Sequence, residues 1–167
     1  MQTLSSEFIK QSIQRMKENV PRIEKCFSEL TEEEVWKKPN EASNSMGNLV
    51  LHLCGNITQY IISSLGGNAD HRERNLEFST KDGLSKTQLI NKLTKVVDQS
   101  VFIMNELPES ELMRNRKVQA YHLSGMGIII HVVEHFSYHT GQIAFFTKQL
   151  KNKALDFYKN VDLNETS

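Results

Sequence analysis

Apolar residues recur along this chain in steps of three and four. Ile9, Ile13, Met16, Val20, Ile23, Phe27 and Leu30 make the first such series. On a helix of 3.6 residues per turn they share one stripe. Pro21 falls inside the stripe and predicts a kink, because its ring removes a backbone hydrogen bond. Leu49, Leu53, Ile57 and Ile61 form a second series behind Asn44 and Ser45, either of which can cap exposed N–H groups. Gly66-Gly67-Asn68 ends it. Residues 66 to 83 are polar and predict a long loop over one end of the fold.

A third helix is predicted from Ser85, since Ser85-Lys-Thr-Gln88 has the form of a capping box. Leu89, Leu93, Val96, Ile103 and Leu107 supply its stripe, and Pro108 stops it. After a polar connection a fourth helix is expected from Ser124-Gly125 to about Lys151, with Ile128, Ile129, Val132, Phe136, Ile143, Phe146 and Leu150 as its apolar members. Residues 152 to 167 are polar and read as a peripheral tail, although Leu155, Phe157 and Tyr158 could pack back. No convincing strand, repeat or low-complexity tract is visible. The expected fold is all-α: an up-down four-helix bundle with long connections, in a single domain over 1–167.

Composition narrows the function classes. Lys plus Arg and Asp plus Glu both number 20, so there is no net electrostatic pull toward nucleic acid or an anionic membrane. Only Cys26 and Cys54 are present, which is no disulfide framework. The longest apolar run, Ile128 to Ile130, is far too short to span a bilayer. No signal peptide is visible at the N-terminus, and a cytoplasmic protein is expected.

The candidate chemistry lies in the histidines. His131, His135 and His139 follow one another at steps of four. Residues so spaced share a helix face and can grip one ion together. Neutral imidazole is a favoured ligand for Zn²⁺, Ni²⁺, Cu²⁺ and Fe²⁺. His135 and His139 follow the inward face of the fourth helix. His131, one turn earlier, is either a fourth ligand or faces out of the bundle end. A third imidazole must come from another helix, and His52, on the border of the second stripe, is the best candidate. A lone histidine beside an apolar stripe is more often a hydrogen-bonded boundary residue than a ligand; the paired spacing is what lifts the metal reading. His71 and His122 read as surface or pocket-rim residues.

Asn48, Asn56 and Gln59 fall near the His52 face. Asn48 and Asn56 either orient His52 or touch substrate, or else they are solvated polar residues, which is the favoured reading. Arg72 and Arg74 could reach an anionic substrate from the long loop, but exposed arginines are usually just solvated. Trp36 and Tyr138 are possible pocket residues, with packing the safer assignment. Cys54 points away from His52 and reads as a buried thiol. His131-Val-Val-Glu134-His135 also fits the H-x-x-E-H pattern of a peptidase class, a poor fit for a small helical chain.

Glu134-His135-Phe-Ser-Tyr-His139-Thr-Gly141-Gln142-Ile143 resembles the last-helix signature of the DinB-like family, metal-binding four-helix bundles that include YfiT-type proteins. Trp36-Lys-Lys-Pro39, followed by Asn44-Ser45-Met-Gly47-Asn48-Leu49-Val-Leu-His52, resembles the family's other landmark. By position, His52 matches the first metal ligand, and His135 and His139 the second and third. Gln142 could hydrogen-bond within the site, and Gly141 would permit close helix packing. The resemblance implies a nickel or zinc ion, with iron or manganese as further candidates, and open positions for water. It also implies a homodimer and a small-molecule substrate. Some relatives are S-transferases using low-molecular-weight thiols such as bacillithiol or mycothiol; others are described as metal-dependent hydrolases. Such an ion would lower the pKa of a bound water or thiol near neutral pH. The alternative is a non-catalytic, stress-related protein that binds a metal or ligand without turnover.

Overall fold

The computed structural model describes residues 3–165. Its elements are α1 (Leu4–Glu29), α2 (Glu32–Trp36), α3 (Met46–Ile57), a π-helix that continues α3 (Thr58–Leu65), α4 (Arg74–Ser79), α5 (Lys86–Glu106), α6 (Glu109–Met113), β1 (Asn115–Val118), β2 (Tyr121–Ser124) and α7 (Gly125–Lys151). The protein is mostly helical, as the apolar period predicts.

Helix ends fall where the caps are. Thr3, Thr31, Ser45 and Ser85 each accept from the backbone N–H three residues on, and the side chain at that position reaches back to the cap's own N–H. Ser124 caps α7 through the Gly127 N–H. The four long helices bury their stripes together. α1 packs against α7 and α5, and α3 against α5 and α7. Met16, Ile23, Leu53, Ile57, Leu89, Leu93, Ile128, Val132 and Phe136 are among the buried contacts. Each buried side chain of this size contributes about 1.5–3 kcal/mol relative to exposure. α1 runs on through Pro21, which lies on its exposed side. Leu155 is buried beyond the end of α7.

Two expectations need correction. Residues 66–83 are not loop throughout, because Arg74–Ser79 forms α4, packed on α3. The polar connection before α7 contains an antiparallel hairpin, with Arg116 opposite Leu123 and Val118 opposite Tyr121. Its turn is Gln119-Ala120, with Gln119 at φ 51°, and lacks the Asn-Gly or Asp-Gly signal that marks such turns in sequence. Arg116 anchors the hairpin by donating to the carbonyls of Ser64 and Glu111 and to the Glu111 carboxylate. Among the described residues no helix is long and apolar enough to cross a membrane.

Candidate metal centre

The capping box at Ser45 starts α3 about two turns before His52, and so sets the phase in which His52 faces inward. Trp36 completes that corner. Its ring covers Gly47, where a Cβ would stand 2.8 Å from the indole carbons, and its Nε1 donates to the Leu84 carbonyl. Trp36 is therefore a packing residue between α2, α3 and the start of α5.

His52 is 6% exposed on α3, and it meets two imidazoles of α7. Its Nε2 lies 3.0 Å from His135 Nε2. His139, one turn along α7, places its own Nε2 3.1 Å from the same His135 atom. One nitrogen from each of the three histidines lies within 4.8 Å of the others, close enough to hold a metal ion. Two nitrogens bound at about 2.1 Å to one ion stand about 3.0 Å apart at a right angle and about 3.4 Å apart at the tetrahedral angle. On α7 Ile128, Ile129, Val132, Phe136, Ile143 and Thr147 are fully buried. His135 and His139 are half-buried and sit on the shoulder of that face.

The chemistry of the donor set fits a cation. His52 Nδ1 lies 2.8 Å from Glu77 Oε2. A carboxylate only accepts, so Nδ1 carries the proton and Nε2 of the neutral ring presents a lone pair. His139 Nδ1 lies 2.7 Å from Gln142 Oε1, which assigns the same tautomer there. Two lone pairs thus converge on His135 Nε2, an arrangement that suits a shared positive centre. Burial, reinforced by neighbouring His139 and His52, pushes the His135 pKa down to about 3. Burial also lowers His139, although the Gln142 bond works against it. Neutral imidazoles are the form that binds metals.

Behind His52 stands an ion pair. Arg72 Nε donates to Glu77 Oε1 at 2.7 Å and its Nη2 to Oε2 at 2.9 Å, while Nη1 donates to Gln59 Oε1. The Arg72 side chain is 2% exposed and that of Glu77 9%, so the solvated arginine expected from sequence is instead buried. Burial alone would raise the Glu77 pKa, but the bonds from Arg72 and His52 outweigh it and hold the carboxyl below its ordinary value. Glu77 is the site residue that the sequence reading missed.

The two asparagines are buried as well, which corrects their reading as solvated. Asn48 Nδ2 donates to the carbonyls of Glu77 and Thr80, tying α4 to α3. Asn56 Nδ2 lies 3.2 Å from His131 Nε2. His131 stacks on Tyr60 at 4.4 Å and is grouped with Asn56 and Tyr60, outside the three-histidine cluster. Arg74 lies over the Phe78 ring, whose centroid is 4.7 Å from that of His52. Tyr138 is 62% exposed, with its ring edge-on to His139. Gly141 does not serve close packing: a Cβ there would meet nothing within 4 Å. Cys54 is buried, and burial pushes its thiol up to about 12. His122 is exposed on β2. A cavity of about 420 Å³ lies between α3, α4 and α5, bordered by Leu51, Leu76, Val96, Arg72 and Glu77, with exposed His71 at its edge. None of the three converging histidines lines it.

Comparison with known proteins agrees with this architecture. The family described as "Protein of unknown function (DUF1572)" matches residues 3–160. No curated protein matches the sequence. Among solved structures, the chain is similar to a conserved protein from Enterococcus faecalis, with a TM-score of 0.73 at 15% identity over 86% of this chain and 97% of that one. It is also similar to the DinB-like protein YjoA from Bacillus subtilis (TM-score 0.67, 20% identity, 89% and 96% covered). A DinB-like protein from Bacillus cereus gives a TM-score of 0.67 at 16% identity, covering 84% of this chain and 91% of that one.

Proposed function

We propose that this chain, which belongs to the DinB-like family of DUF1572 proteins, is a metal-dependent enzyme of the S-transferase or hydrolase type, acting on a small molecule at His52, His135 and His139. The observation that carries the reading is the convergence of the three Nε2 atoms, with His52 and His139 both turned lone pair inward. A divalent ion bound there supplies a Lewis acid that lowers the pKa of a water or thiol. Three protein ligands leave positions open, as catalytic sites require and closed structural sites do not. Nickel or zinc suits an all-imidazole set.

The chain's own part is orientation and access. Glu77 and Gln142 hold two rings by their outer nitrogens. His139 and Tyr138 stand at the solvent side, where a substrate can approach. We read the four long helices as an up-down bundle forming one domain, and the assembly as a homodimer, as the family resemblance implies.

The test begins with untagged protein, stripped and then dialysed against Ni²⁺ or Zn²⁺. About one equivalent of ion per chain is expected, with His135→Ala and His139→Ala each abolishing it while helix content by circular dichroism persists. Full occupancy in either variant would overturn the ligand set. The loaded protein is then given low-molecular-weight thiols with electrophiles, and a panel of esters and amides. Metal-dependent turnover of one panel is expected; silence across both would reduce the protein to a metal binder.

A further inference from the structure

Three features of the fold are arranged around the Glu77 carboxylate. The first is its seat. α3 carries glycine at position 55, in the helix interior, where a Cβ would stand 1.9 Å from Glu77 Oε1 and 2.9 Å from Arg72 Nε. Glycine is a poor helix residue, and here it is the one that leaves room for the carboxylate. The second is the clamp. Arg72 binds both oxygens of Glu77 in parallel and is itself braced by Gln59, whose amide nitrogen donates to Asp70. The third is the tether. Asn48, one turn before His52, holds the backbone carbonyls of Glu77 and Thr80.

Stability alone does not account for this arrangement. A buried ion pair suffers desolvation, and apolar side chains of similar volume usually hold a segment as well or better. A helix-interior glycine adds to that cost. What the arrangement delivers is one carboxylate oxygen, Oε2, placed 2.8 Å from His52 Nδ1. Arg72 Nη2 also lies 3.2 Å from that nitrogen, but a ring nitrogen donating to Glu77 has no lone pair left to accept from arginine. Arg72 therefore acts on the carboxylate and only through it on the ring.

We propose that Glu77 and Arg72 are positioning residues that lock His52 in the Nδ1–H tautomer and aim its Nε2 at the point where His135 and His139 meet, with Gly55 and Asn48 seating the carboxylate. The geometry stands by itself; its purpose rests on the metal reading above. The other two rings are held differently. The outer nitrogen of His139 is held by the neutral, exposed Gln142, and among the described residues His135 Nδ1 is buried without a hydrogen-bond partner. His52 is thus the fixed member, against which the α7 pair adjusts.

The experiment reads the tautomer and the affinity separately. Long-range ¹H–¹⁵N spectra of the metal-free, ¹⁵N-labelled full chain report which nitrogen of His52 carries the proton. Titration with Zn²⁺ or Ni²⁺ reports affinity. Wild type is expected to show His52 as Nδ1–H. Glu77→Leu is expected to lose that preference and to bind the ion about 10- to 100-fold more weakly. Glu77→Gln, whose amide oxygen can still accept, should restore the tautomer and part of the affinity, a rescue that a merely structural role would not produce. Gly55→Ala removes no functional group yet displaces the carboxylate, so it should shift both readouts in the direction of Glu77→Leu. If Glu77→Leu fails to fold, the Gly55→Ala and Glu77→Gln pair decides. The proposal is overturned if wild-type His52 carries its proton on Nε2. It is equally overturned if a folded Glu77→Leu, or Gly55→Ala in its place, keeps the Nδ1–H form with affinity within about twofold of wild type. Should wild type bind no ion, the metal reading falls, and the spectra still decide whether Glu77 sets the tautomer.

Discussion

The three imidazoles that meet between α3 and α7 are held in two contrasting ways. On the α3 side, His52 is buried against a carboxylate that is itself clamped by a buried arginine. On the α7 side, His135 and His139 are half-buried, and the outer nitrogen of His139 is held by the neutral, exposed Gln142. Rigid support on one side and solvent access on the other is what an open metal site needs. The supported ligand fixes the centre, and the accessible pair leaves room for substrate. The two sides should therefore respond very differently to perturbation.

Metal binding itself is the largest effect. Loss of His135 or His139 removes a ligand outright, whereas His131→Ala should leave the ion in place, because His131 is engaged with Asn56 and Tyr60. Metal analysis of the three variants side by side checks this. Equal loss in His131→Ala would show that the α7 side is a three-histidine array and would remove the contrast.

The second effect is on stability. Arg72→Ala leaves the Glu77 carboxylate buried without its main partner and is expected to cost about 3–5 kcal/mol. Gln142→Ala removes a bond at an exposed position and should cost no more than about 1 kcal/mol. Urea unfolding of the metal-free proteins measures both. Similar losses would mean that the two sides are supported alike.

Much of this architecture was legible in the chain, and what was not has a common physical cause. Helix stripes and their caps are local signals: a cap at Asn44 or Ser45, the box of Ser85 with Gln88, and the step from His135 to His139 are each visible within a few residues. His52 needed more, since the two imidazoles it meets lie 83 or more residues away; its place on the border of the second stripe made it the best candidate, and the resemblance to DinB-like proteins pointed to the same residue. Glu77 carried no signal at all. It is one acidic residue in a polar stretch with no apolar period, and its significance comes from contacts with His52, 25 residues earlier, and with Arg72. Arg72, Asn48 and Asn56 were visible as polar residues, but burial of a polar group depends on partners that sequence does not place. The hairpin escaped because Gln119-Ala120 is an unusual turn for two short strands with few apolar residues.

Two glycines give the finest test of the contrast, because the same substitution should act with opposite sign. Gly141 and Gly55 both lie inside helices, where alanine is intrinsically favoured by up to about 1 kcal/mol. At Gly141 a Cβ meets open space, so Gly141→Ala should realise that gain, raising the melting temperature by about 2–4 °C for a chain of this size. At Gly55 the same methyl would lie 1.9 Å from a carboxylate oxygen held by a buried arginine, and neither group can withdraw without losing the other. Overpacking of that kind typically costs about 1–3 kcal/mol, which exceeds the propensity gain and reverses the sign. Thermal melts of the two metal-free variants measure the difference directly. If Gly55→Ala melted as high as Gly141→Ala, the α4 segment would be yielding rather than clamped, and the α3 side would be no stiffer than the α7 side.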